Sequence, residues 1–373
     1  MIMKRKSIKQ FAWMYRCLCR WLCLCIIMLL SVFSIAHAQE SFYAGDDARI
    51  QYVGRIDFTQ PHQPRLWLPG SYFCFYTRDN QVQLIIEDEQ LYGQHQNYLE
   101  IVIDGKPLQR IHLTRRVDTI LIQLPADHSR SGHQVLICKD TESGNGFVAC
   151  RGIICKTLLK PDPLPARKIE CFGNSITCGF GADTSEIPCG KGAWYDQHNA
   201  YMSYGAVAAR LLRAQWHLSA VSGIGLIHSC CQMQITMPEV YDKIDMREDS
   251  LPWNFANYQP DVVTICLGQN DGIQDSVAFC KAYVQFIHAL RKVYPHAYII
   301  CLNSPMADEK LNTVLKKYIS SVCKAIQDEG DTRISYFFFT RRYNHGCGQH
   351  PDVREQQEMG KLLAAYIRSR MHW

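Results

Sequence analysis

Lys168-Ile169-Glu170-Cys171-Phe172-Gly173-Asn174-Ser175-Ile176-Thr177-Cys178-Gly179 is the stretch on which the reading of this chain turns. Residues 168–172 form a short strand of the kind buried in a parallel sheet. Gly173 and Gly179 bracket a tight turn that carries Ser175 at the strand's end. A serine in that place stands exposed at the sheet edge, and its amide can face the same crevice. The stretch is not a Gly-x-Ser-x-Gly elbow, so it does not point to the usual α/β-hydrolases.

Downstream, buried-type strands at 168–172, 216–221, 262–267, 298–303 and 334–338 alternate with helical patterns at 199–214, 275–293, 309–329 and 352–370. On the last helix Met359, Leu362, Leu363 and Ile367 recur at helical spacing, a core stripe. Alternating β and α predicts a three-layer α/β domain with a five-stranded parallel sheet, whose sites lie at the carboxyl ends of its strands. Upstream, Lys160-Pro161-Asp162-Pro163-Leu164-Pro165 is a stiff connection and marks a boundary. Before it, nine short alternating runs separated by turns predict an all-β sandwich or jelly roll. The expected domains are therefore 39–160 and 161–373.

The first 38 residues read as an address. They hold Lys4, Arg5, Lys6, Lys9, Arg16 and Arg20 and no acid, then an apolar run at 22–35, then Ala36-His37-Ala38. That order is a secretory signal peptide, with too short a core to span a bilayer. Export and cleavage after Ala38 are expected, to the periplasm or the extracellular space. The chain of 373 residues has net charge +5, yet without this segment 34 basic residues face 35 acidic ones. A near-neutral remainder has no general attraction for nucleic acid. Of eighteen cysteines, fourteen follow residue 38. Cys74, Cys138, Cys171, Cys266 and Cys301 sit in strand-like runs and read as small buried hydrophobes. Cys178 with Cys189 is the expected disulfide, since both lie in one Gly-rich loop.

The second strand ends in Ser222-Gly223-Ile224-Gly225 and the third in Gly268-Gln269-Asn270-Asp271-Gly272. The amides of Ser175 and Gly223 and the side chain of Asn270 are thus three donors at neighbouring strand ends, an oxyanion hole in kind. Near the C-terminus stands Gly346-Cys347-Gly348-Gln349-His350-Pro351-Asp352-Val353-Arg354-Glu355. Pro351 keeps His350 out of helical geometry, and Asp352 with Glu355 reads as a capping box. His350 in the loop before that helix is the candidate base for the serine proton, with His345 its rival. Cys347, His345 and His350 as a metal site is a weak alternative, because the short span offers no fourth ligand.

Gly-Asn-Ser, Ser-Gly, Gly-x-Asn-Asp and His-Pro, in this order and spacing, resemble the four blocks of the SGNH (GDSL-like) hydrolases. The preceding sandwich, the stretch 169–179 and the Gly-Cys-x-x-His-Pro block more closely resemble carbohydrate esterase family 2, over about residues 48–370. The resemblance implies a jelly roll joined to an SGNH domain, and removal of acetyl groups from xylan and glucomannan without a metal or other cofactor. It makes Ser175 the nucleophile, His350 the base, and Ser175, Gly223 and Asn270 the oxyanion site. The superfamily's usual aspartate, three residues before the histidine, is Cys347 here. A Ser–His dyad is therefore expected, with a backbone carbonyl orienting the imidazole. Activity should then follow a pKa near that of free histidine, about 6.5. Asp352 serves as the helix cap and Asp271 fixes its own loop.

Trp194 and Trp253 are candidate sugar-stacking residues, with Tyr195 and Tyr201 behind them. The expected partner is an acetylated polysaccharide or oligosaccharide. The competing readings are a lipase, thioesterase or phospholipase of the same superfamily, and a non-catalytic carbohydrate-binding protein.

Overall fold

The computed structural model describes residues 13–21, 40–125, 132–247 and 250–373. The apolar run 22–35 and Ala36-His37-Ala38, on which the signal-peptide reading rests, lie outside the described residues. No helix among the described residues is long and apolar enough to cross a membrane. Residues 41–373 form one compact unit.

Two antiparallel sheets make its first part. One is ordered Ile56–Asp57, Arg65–Leu66, Val148–Cys155, Gln81–Asp88, Val117–Gln123, with Ser41–Ala44 also paired to Val148–Cys155. The other is ordered Gln51–Val53, Tyr72–Thr77, His133–Lys139, Tyr98–Ile103, Lys106–His112. Alternate residues of each point inward: Phe73, Phe75, Val135 and Ile137 from one sheet meet Leu84, Ile86, Val148 and Ile153 from the other in a shared core. The nine expected runs all become strands. Ser41–Ala44 and Ile56–Asp57 escaped the sequence reading because such short segments have too little alternation to read.

The second part is a parallel sheet ordered Ala214–Ala220, Arg167–Gly173, Val262–Cys266, Tyr298–Leu302, Ile334–Phe337. Helices Ser276–Val293 and Glu309–Asp328 cover one face through Phe279, Tyr283, Leu290, Leu315 and Ile319. Helices Tyr204–Leu211 and Val353–Met371 cover the other through Tyr204, Ala208, Met359, Leu363 and Ile367. Register places Gly173 opposite both Ala220 and Cys266. The three chain segments that follow these residues therefore leave the sheet at one level, where the strand order reverses. The first helix starts at Tyr204 rather than near residue 199. Residues 199–201 instead turn to meet the sandwich, with the Ala200 and Tyr201 N–H groups donating to the Asp140 carbonyl and carboxylate, each at 3.1 Å.

The sandwich is joined to the α/β part by buried polar contacts. Arg55 meets Glu170 at 2.8 Å, both fully buried, and also donates to the Tyr241 and Lys243 carbonyls. The Trp216 indole N–H donates to the Gly70 carbonyl at 2.9 Å, and its ring lies 4.3 Å from that of Tyr72. Removing one partner of a buried pair such as Arg55–Glu170 costs about 3–5 kcal/mol, because the other charge is left uncompensated.

Candidate active site

Ser175 opens a one-turn helix, Ser175–Cys178, directly after the first parallel strand. The Asn174 side chain caps that turn by accepting the Ile176 N–H at 3.2 Å. His350 arrives from the far end of the chain, between the short helical turn Cys347–Gln349 and the helix Val353–Met371. Its backbone is extended, as Pro351 requires. Asp352 then caps the last helix by accepting the Glu355 N–H at 2.7 Å. The two side chains meet: His350 Nε2 lies 2.8 Å from Ser175 Oγ.

Among the described residues no carboxylate holds the other ring nitrogen. His350 Nδ1 lies 3.2 Å from the Cys347 carbonyl and 3.1 Å from the Gly348 carbonyl. Carbonyls only accept, so Nδ1 carries the proton and Nε2 is free to accept from the serine hydroxyl. The segment carrying these carbonyls is anchored twice. The Cys347 N–H donates to the Gly181 carbonyl at 2.8 Å, and the Cys347 sulfur is bonded to Cys189. Gly181 has φ 64°, and a Cβ there would fall 2.6 Å from the Cys347 carbonyl oxygen, so only glycine allows this approach.

The disulfide corrects the expected Cys178–Cys189 pair. Cys178 is buried, and its thiol donates to Glu142 at 3.8 Å, whereas Cys189 reaches a loop 158 residues away. Sharing a loop in sequence did not bring Cys178 and Cys189 together. Each of the three possible metal ligands is engaged elsewhere: the Cys347 sulfur with Cys189, His350 with Ser175, and His345 with Glu355 at 2.6 Å. Burial pushes the His350 pKa below the ordinary histidine value, against the opposing pull of the Cys347 and Gly348 carbonyls. The absence of a carboxylate partner leaves no strong group to raise it, and desolvation sets the direction of the shift.

Ser175 and His350 line a cavity of about 620 Å³ together with Gly223, Asn270 and Trp194. Gly223 takes φ 86°. One Asn270 amide N–H donates to the Ile224 carbonyl at 2.8 Å. Asp271 is buried and accepts the N–H groups of Leu226, Ile227 and His228 at 2.7–3.0 Å, which fixes the loop after the second strand. Trp194 is 42% exposed at the cavity edge, near Phe180 and His198. Trp253 is a correction. Its ring is buried between Arg55 and His217, away from this cavity, because the segment before a parallel strand enters at the sheet's amino end. Tyr195 and Tyr201 are also buried.

The sequence reading missed Glu142, which the sandwich sends into the cavity wall. One carboxylate oxygen accepts the Ser222 N–H at 2.6 Å, and the other lies 3.3 Å from His198 Nε2. Burial alone would raise its pKa, but the His198 and Ser222 hydrogen bonds outweigh burial and hold the carboxyl below its usual value. Lys139 ties the same loop by donating to the Thr141 and Glu142 carbonyls at 2.7 and 2.9 Å, and burial lowers its pKa to about 7. The available signal was Lys139-Asp140-Thr141-Glu142, four polar residues where an apolar strand ends.

Comparison with known proteins agrees with this architecture. The model for the carbohydrate esterase 2 N-terminal domain matches residues 52–165, and that for the GDSL-like lipase/acylhydrolase family matches residues 171–351. The chain is 29% identical over 341 residues to cellulase/esterase CelE of Acetivibrio thermocellus, aligning over 88% of its own length and 40% of that protein's. It is 25% identical over 344 residues to an acetylxylan esterase / glucomannan deacetylase of Cellvibrio japonicus, covering 88% of this chain and 91% of that one. A family two carbohydrate esterase from Clostridium thermocellum, solved in complex with cellohexaose, superposes with TM-score 0.78 at 28% identity, covering 87% of this chain and 99% of that one. The chain thus carries a carbohydrate esterase 2 N-terminal domain followed by a GDSL-like lipase/acylhydrolase domain, and it resembles the family 2 carbohydrate esterases, which are carboxylic ester hydrolases.

Proposed function

We propose that this protein is an exported O-deacetylase that removes acetyl groups from plant cell-wall polysaccharides, xylan and glucomannan, through an acetyl-serine intermediate. The observation that carries this reading is the 2.8 Å contact between Ser175 Oγ and His350 Nε2, with Nδ1 held by two carbonyls. His350 takes the Ser175 proton as Oγ attacks the acetyl carbonyl. The Ser175 and Gly223 amides and the second Asn270 N–H receive the developing oxyanion. The tetrahedral intermediate collapses, the sugar oxygen leaves with the proton from His350, and acetyl-Ser175 remains. Water, deprotonated by His350, then attacks the acetyl-enzyme. Acetate departs and the proton returns to Ser175.

The acetylated substrate is supported by the names of the Cellvibrio relatives, and Trp194 at the cavity edge is the candidate sugar contact. Export is supported by the signal-like order of residues 1–38. The sandwich reads as a jelly roll, since consecutive strands from Arg65–Leu66 to Val148–Cys155 alternate between the two sheets except at the Tyr98–Ile103 and Lys106–His112 hairpin. The domains divide at residues 160 and 161, within the proline-rich connection. Met233, Ile235 and Met306 give the cavity an apolar side, which favours a lipase or thioesterase as the second reading. Rates on p-nitrophenyl esters separate the two. A deacetylase prefers acetate and a lipase prefers long acyl chains.

A further inference from the structure

Two further side chains face the same cavity, and no step above uses them. Cys230 and Cys231 are consecutive, and their sulfurs lie 2.7 Å apart, inside ordinary sulfur–sulfur contact. Both line the cavity with Ser175, Gly223 and His350. Cys231 is exposed and Cys230 half-buried. A turn builds the pair: the Cys230 N–H donates to the Gly223 carbonyl at 2.9 Å, the Met233 N–H to the Cys230 carbonyl at 3.1 Å, and Cys231 and Gln232 take φ 61° and 63°. The conformation of Cys230 is thus tied directly to Gly223.

We propose that Cys230 and Cys231 close a redox-labile vicinal disulfide, and that the closed form stiffens the cavity wall beside Gly223 into an apolar ledge against which the substrate's sugar ring rests. The bond needs an oxidant, here a disulfide of a glutathione-like or dithiol type. The exposed Cys231 thiolate attacks it to give a mixed disulfide, and Cys230 displaces the second sulfur. Two thiols of the protein lose two electrons and two protons, and the oxidant becomes two thiols. Disulfides persist where the surroundings are oxidising, and this chain already holds Cys189–Cys347. Consecutive Cα atoms stand only about 3.8 Å apart, short of the roughly 4.4 Å lower limit for relaxed disulfides, so the vicinal bond is strained and easily reduced. The Cα atoms of Cys189 and Cys347 are 5.1 Å apart, within the relaxed range. The use of the ledge rests on the proposed deacetylase reading; formation of the bond does not.

The test has two readouts. The full chain is exposed to oxidised glutathione, alkylated without reduction and digested with trypsin. Peptide 214–243 holds these two cysteines and no others. It should be two hydrogens lighter than the dithiol and unalkylated, and it should gain two alkyl groups after a mild reductant that leaves Cys189–Cys347 intact. Two alkyl groups without reduction would overturn the bond. Binding of an acetylated xylo-oligosaccharide to Ser175→Ala is then measured by calorimetry, which needs no turnover. Mild reduction should weaken it several-fold, and Cys230→Ser/Cys231→Ser in the same background should match the reduced protein and ignore reductant. Equal affinity in both redox states would overturn the ledge, whatever turnover by the wild type reveals about the reaction.

Discussion

The Glu142 carboxylate, carried by the sandwich, accepts the N–H of Ser222 at 2.6 Å in the α/β domain. One residue beyond Ser222 lies Gly223, the proposed amide donor. The sandwich therefore holds the backbone beside the proposed oxyanion site. In Glu142→Gln one carboxylate oxygen becomes an amino group, so either the bond to His198 is lost or the imidazole moves its proton to the buried Nδ1, which has no partner among the described residues. Leaving a buried donor unpaired costs roughly 1–3 kcal/mol. We expect kcat to fall about five- to hundred-fold on that basis, with KM nearly unchanged and the melting temperature only slightly lower. Steady-state kinetics on an acetylated oligosaccharide check this, and an unchanged kcat would remove Glu142 from the account.

As the proposed base, His350 should set the acid limb of the pH profile. The reaction needs its neutral form, and burial lowers its pKa. Activity is then retained as pH falls through the ordinary histidine value of about 6.5 and is lost only below it. A kcat/KM profile with its acid limb centred clearly above 6.5 would contradict the lowered imidazole.

Asn270 holds the Ile224 carbonyl with one N–H and lines the cavity, where its second N–H is the proposed oxyanion donor. Asn270→Ala should raise the barrier by roughly 3–4 kcal/mol, a 10²–10³-fold loss in kcat like that of other side-chain oxyanion donors. Stopped-flow acylation with p-nitrophenyl acetate reads that step directly. A loss confined to KM would place Asn270 in binding instead.

The Cys189–Cys347 disulfide closes a long loop and anchors a carbonyl that orients His350. Its removal in Cys189→Ala/Cys347→Ala should cost about 2–5 kcal/mol of stability. The residual folded enzyme should also show lower kcat, because Nδ1 loses a fixed acceptor. Urea unfolding and kinetics below the transition separate the two effects. Full kcat in the destabilised variant would limit the disulfide to stability.

Ser175 and His350 were legible because each sits beside its own local signal: a strand running into a Gly-bracketed turn, and a proline followed by a capping box. The sheet was legible from its alternation with helices, which also located the site at the strand ends. Glu142 was not legible, since its partners Cys178, His198 and Ser222 belong to another domain and only tertiary packing brings them to it. Trp253 was not legible as a core residue, since its local sequence does not show that its loop enters the sheet at the amino end. The cysteine pairing failed for a similar reason. Cys178 and Cys189 are near in sequence yet separately engaged, and the partner of Cys189 comes from the histidine loop.

The most direct test of the central claim is acetate release from acetylated xylan and glucomannan by the wild type and Ser175→Ala, with matching circular dichroism to establish that both are folded. The account predicts steady release by the wild type and none above background by the variant. Equal release by the two proteins would contradict the assignment of Ser175 as the nucleophile.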